Sequence, residues 1–98
     1  MHIAIFRVIV AAALILAASD AAADGKETYT KACALCHASL PPKLGDRAAW
    51  EPRMKQGLDA MVAAVIKGKG AMPPRGGNPN LSDDDIRRAV EYMVDQLR

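Results

Sequence analysis

The segment Cys33-Ala34-Leu35-Cys36-His37 decides how the rest of the chain is read. Its two cysteines and its histidine stand at i, i+3 and i+4, so on an α-helix all three side chains leave from one face. A cysteine pair at that spacing followed directly by histidine is the pattern of covalent c-type haem attachment. The chemistry accounts for the order. Two thiols add across the two vinyl groups on one porphyrin edge, and the adjoining residue then lies under the iron, where the His37 imidazole can act as an axial ligand. Cys33 and Cys36 are therefore the expected attachment points, and one haem c is the expected cofactor.

Three other uses of the pair are weaker. A redox-active dithiol requires a thioredoxin-like βαβ setting, and nothing beside the pair alternates like a strand. Zinc needs four ligands, and of the two histidines His2 falls in an N-terminal leader. A disulfide between i and i+3 of one helix has poor geometry.

Upstream, Arg7 precedes an unbroken apolar run from Val8 to Ala18, and small residues end at Ala21-Ala22-Ala23. This is the layout of a signal peptide cleaved before Asp24. It divides the chain into a leader, residues 1–23, and one domain, residues 24–98, and implies a periplasmic protein. The run is shorter than the ~20 residues a membrane helix needs. Cleavage removes Arg7 and Asp20 together, so the net charge stays at +2. Such a balance does not point to nucleic acid as a partner. A domain this small, in a chain with 4% aromatic residues, has a marginal core. With both cysteines assigned, the haem becomes the body around which short helices close, and the apoprotein is expected to be largely unfolded.

Asp24 reads as an N-cap, with Glu27 at capping-box spacing, opening a helix that runs into the haem motif. Tyr29, four residues before Cys33, should pack inward on that face. After the motif, Pro41-Pro42 forbids helix and holds the backbone extended. A stiff segment there can present the Pro42 carbonyl to His37 Nδ1–H; the plainer reading is a helix stop followed by a loop. Asp46 caps a second helix that ends by Gly57. It contains Trp50, whose indole N–H could donate to a haem propionate or simply be packed away.

Leu58, Met61, Val62, Val65 and Ile66 form the stripe of an amphipathic third helix, with Met61 expected in the core. The glycine- and proline-rich stretch from Gly68 to Asn80 cannot be regular structure. Met72 stands in it alone, backed by two prolines, an arrangement suited to carrying a thioether to a fixed point. Met72 is thus the expected second axial ligand. Ser82 and Asp85 form a capping box for a last helix, whose buried stripe is Ile86, Ala89, Val90, Met93, Val94 and Leu97.

In sequence order, Cys33-x-x-Cys36-His37, Pro42-Lys43-x-Gly45-Asp46, Ala48-Ala49-Trp50, Pro52-Arg53, Gly57 and Ala71-Met72-Pro73-Pro74-x-Gly76-Gly77 resemble the class I c-type cytochromes, specifically the short bacterial cytochrome c-five type. The resemblance implies a small all-α fold of about four short helices packed around one covalently bound haem. It also implies that the first and last helices cross, with Gly25 and Tyr29 meeting Tyr92. The extra cysteine pair some members carry is absent, which leaves the haem as the single covalent cross-link.

With His37 and Met72 in both axial positions, no substrate reaches the iron, which argues for electron transfer over catalysis. The expected protein is a monomeric carrier in a bacterial respiratory chain, not an enzyme, passing electrons between a membrane-bound donor and a terminal oxidase or reductase. Lys43, Lys67, Lys69 and Arg75 could orient an acidic partner at the haem edge, or be ordinary solvated surface. The alternatives are a small peroxidase-like haem enzyme and a membrane-anchored haem subunit of a larger complex.

Overall fold

Four helices take up the apolar stripes of the sequence in the structure, a computed structural model that describes residues 24–98. The leader expected at residues 1–23 lies outside the described residues. Helix α1 covers residues 24–37, passing through a π-helical stretch, Tyr29–Cys33, into a last α-helical turn, Ala34–His37. Helix α2 is Arg47–Met54, α3 is Leu58–Lys67 and α4 is Asp83–Asp95. A single 3-10 turn, Pro74–Gly77, interrupts the loop before α4, a small departure from the expectation that nothing regular would form there. Among the described residues the one β-type pairing is an isolated bridge between Lys69 and Met72.

The caps follow the chemistry of their residues. Asp46 accepts from the Ala49 amide at 3.4 Å. Ser82 and Asp85 complete a reciprocal capping box, with the Asp85 amide 3.0 Å from Ser82 Oγ and the Ser82 amide 3.1 Å from Asp85 Oδ2. Three aspartates in the first turn of α4 further complement its positive end. Asp24 departs from expectation. It is already helical, and its carboxylate accepts from Arg88 at 2.8 Å instead of closing a box with Glu27, which pairs with Lys31.

All six residues of the α4 stripe are buried. All of them but Ala89 pack with Met61 and Val62 of α3, Trp50 of α2 and Tyr29 of α1 into one core. Met61 is in that core, as its place in the α3 stripe implied. The crossing of α1 over α4 depends on Gly25: a Cβ built there would lie 2.5 Å from the Arg88 carbonyl oxygen and 3.4 Å from Tyr92 Cβ. The Tyr29 and Tyr92 rings sit one turn further along, with centroids 5.3 Å apart and planes tilted by 42°. Exposed ion pairs from Arg88 to Asp24 and Asp84 edge this contact and add little to it, because water screens them. At the far end, the Arg47 guanidinium donates to the Leu97 carbonyl and ties the start of α2 to the end of α4.

Candidate functional site

Crossing α1 over α4 leaves a gap between the second half of α1, the inner face of α4 and the loop that follows α3. This gap is a cavity of about 410 Å³, a size usual for organic ligands and cofactors. Cys33, Cys36, His37, Pro42, Trp50 and Met72 all line it. Its apolar wall includes Ile86, Ala89, Val90 and Met93, so the α4 stripe serves the core and the cavity at once.

His37 is 8% exposed, and its Nδ1 lies 2.9 Å from the Pro42 carbonyl oxygen. A carbonyl can only accept, so Nδ1 carries a proton, and in the neutral imidazole this leaves the lone pair on Nε2, the tautomer a metal ligand requires. The Leu44 amide also donates to the His37 carbonyl at 2.8 Å, so the loop through Pro41-Pro42 folds back on the histidine twice.

Cys33 and Cys36 are not joined to each other by a disulfide. Burial first, and the neighbouring Cys36 second, push the Cys33 thiol above its ordinary range, whereas Cys36 is exposed. Leu35 between them is 91% exposed, as a helix presenting both cysteines to one side demands.

The Met72 loop is held by its own backbone. Lys69 and Met72 exchange two hydrogen bonds of 3.0 Å each across a turn at Gly70. Gly68, at φ 85°, admits that turn: a Cβ there would meet Pro74 N at 2.8 Å and the Met72 carbonyl oxygen at 3.0 Å. Met61 and Met93 also line the cavity, but from helices whose stripes bury them in the core.

The geometry bears on two readings that the sequence left open. The Trp50 indole N–H donates to the Lys43 carbonyl at 2.7 Å, so it is engaged within the fold. Trp50 shapes the cavity with its ring, whose centroid is 6.3 Å from that of His37. Arg75 does not present its charge to a partner, because its guanidinium is bound to the Leu81 carbonyl and the Asp83 carboxylate. Lys43, Lys67 and Lys69 are exposed. Arg53 and Gln56, near the end of α2, also line the cavity and were not singled out from the sequence. The Pro52-Arg53 match was the one available signal.

The donor set is an imidazole with a free Nε2, a thioether, two thiols and an apolar wall, which suits a porphyrin and its iron. It does not suit a bare ion: among the described residues no three His, Cys, Asp or Glu side chains gather where they could hold one.

Comparison with known proteins agrees with this chemistry. The family described as cytochrome C oxidase, cbb3-type, subunit III, matches residues 20–93. Cytochrome c-555 of Chlorobaculum thiosulfatiphilum is 51% identical, over 79% of this chain and 98% of that protein. Cytochrome c5 of Ectopseudomonas mendocina is 38% identical, over 78% of this chain and 93% of that protein. Among solved structures, a chain from an electron transfer complex of nitrite reductase with cytochrome c superposes with a TM-score of 0.73 at 51% identity, covering 76% of this chain and 95% of that one.

Proposed function

We propose that this chain, which belongs to the small class I cytochromes c and works as an electron carrier on one covalently bound haem c, holds the iron between His37 Nε2 and the Met72 thioether. Cys33 and Cys36 are the thioether attachment points, and the Pro42 carbonyl orients the histidine. The single observation that carries this is the meeting of all these side chains in one cavity, with His37 locked in the ligand tautomer.

Haem held by these residues would supply a one-electron iron couple, and a ligand from each of His37 and Met72 in both oxidation states would keep the rearrangement per electron small. The protein's part follows from its residues. His37 and Met72 exclude reactants from the iron, so the chain carries charge without catalysing a reaction. The α4 stripe keeps water from one side of the cavity, and burial with a soft thioether favours the ferrous form. Lys43, Lys67 and Lys69 lie exposed on loops and at a helix end and are free to steer an acidic docking surface.

The route is a periplasmic one in a bacterial respiratory chain, from a membrane-bound donor to a terminal oxidase or reductase. The complex solved for the 51%-identical cytochrome makes a nitrite reductase a reasonable acceptor to try first. Among the described residues no helix is long and apolar enough to cross a membrane. The oxidase-subunit description of the matched family keeps a haem subunit of a larger complex as a second reading. A mature N-terminus at Asp24 by intact mass opposes it.

The test of the ligand set is Met72→Ala. The variant should keep its haem through Cys33 and Cys36, lose the thioether-to-iron band and bind carbon monoxide when reduced. A variant that keeps the band sinks the assignment.

A further inference from the structure

Arg75 is the one non-glycine among the described residues with a positive φ, 56°. A side chain is unwelcome in left-handed backbone, and a glycine there, like the Gly76 and Gly77 that follow, would relieve the strain. What arginine adds is its fork. Nη1 donates to the Leu81 carbonyl at 2.9 Å, and Nη2 lies 2.8 Å from Asp83 Oδ1. Leu81 and Asp83 flank Ser82, the N-cap of α4. The fork thus fastens the loop to the start of α4, three residues beyond Met72, while Arg75 itself lines the cavity. The Arg75 side chain is 29% exposed and that of Asp83 is 71% exposed, so the ion pair is open to salt and the bond to Leu81 is the better shielded half.

We infer that Arg75 is a positioning residue: it latches the Met72 loop onto α4 and sets how readily the thioether is displaced from the iron. The inference rests on Met72 being an axial ligand. With the latch closed, Met72 is held at the cavity by bonds on both sides, the Lys69 bridge before it and the Arg75 fork after it. With the fork broken, the left-handed glycines at 70, 76 and 77 leave the loop able to swing. An added nitrogen base such as imidazole can then exchange for the thioether. One dative bond breaks and one forms, with no electron or proton transferred.

The test mixes imidazole with ferric holoprotein and follows loss of the thioether-to-iron band in wild type, Arg75→Gln, Arg75→Lys, Asp83→Asn and Met72→Ala. Losing a charge-assisted hydrogen bond shifts an opening equilibrium by roughly tenfold. Arg75→Gln should therefore exchange roughly tenfold faster than wild type with unchanged helix content, and Arg75→Lys, which keeps the charge, should recover part of the difference. Equal exchange in wild type and Arg75→Gln overturns the latch. If Arg75→Gln fails to hold haem, Asp83→Asn decides: a severalfold acceleration supports the latch and an unchanged rate overturns it. Met72→Ala reports separately on the ligand. Survival of the band there removes the ligand assignment and the latch with it, whereas loss of the band alongside unaltered exchange in Arg75→Gln removes the latch alone.

Discussion

Replacing Gly25 with alanine should destabilise this protein, although the same change in an exposed helix normally helps. In an open helix alanine is favoured over glycine by about 1 kcal/mol, because glycine loses more backbone entropy on folding. At Gly25 the added methyl would lie 2.5 Å from the Arg88 carbonyl oxygen and 3.1 Å from its carbonyl carbon. Both are backbone atoms of α4 and cannot rotate away, so α1 and α4 must separate. Overpacking of this kind costs roughly 1–3 kcal/mol, and separation also loosens the contact between Tyr29 and Tyr92. A 2.5 Å approach to fixed backbone belongs to the upper part of that range, about 2–3 kcal/mol, so after the helix gain of about 1 kcal/mol is set against it the net loss is about 1–2 kcal/mol, or a fall in Tm of roughly 5–15 °C for a domain of this size. The assay is thermal unfolding of the holoprotein by far-UV circular dichroism, with the visible spectrum recorded alongside. That spectrum should stay that of wild type at room temperature, since Gly25 lies outside the cavity. A Tm equal to or above that of wild type would refute the claim that the crossing depends on a missing side chain.

Gly68→Ala should act on the site instead, because its Cβ would strike the Met72 and Pro74 backbone at φ 85°. The thioether-to-iron band should weaken or vanish at temperatures where circular dichroism still reports full helix content. Trp50→Phe removes the donor to the Lys43 carbonyl and should cost about 1–2 kcal/mol in denaturant unfolding, leaving the midpoint potential near that of wild type. A large shift in potential would instead support the propionate role.

Stripes were legible where a helix buries one face continuously. α3 and α4 repeat apolar residues with helical spacing, and burial follows that repeat. The capping box of α4 was equally plain, since its partners are three residues apart. The candidate site was readable for a related reason: Cys33, Cys36, His37 and Met72, which meet at one cavity, owe their proposed roles to chemical type and local spacing. What escaped depends on atoms distant in sequence. Nothing near Trp50 says that its N–H will find Lys43, or near Arg75 that its guanidinium will find Leu81 and Asp83. Asp24 looked like a cap, but its charge is drawn to Arg88 on a helix 64 positions away. The π-helical stretch leaves no mark in composition, because no residue preference separates it from ordinary helix.

That stretch works as a phase adjuster in the first helix. The Ala34 amide reaches back five positions to the Tyr29 carbonyl, so the backbone takes in one more residue than a regular turn holds, and each residue is worth about 100° of rotation around the axis. Gly25 and Tyr29 can then face the C-terminal helix while Cys33, Cys36 and His37 are aimed at the cavity. Deleting a single residue between Tyr29 and Cys33 would restore a uniform spiral and force the chain to misdirect either its tyrosine or its cysteines.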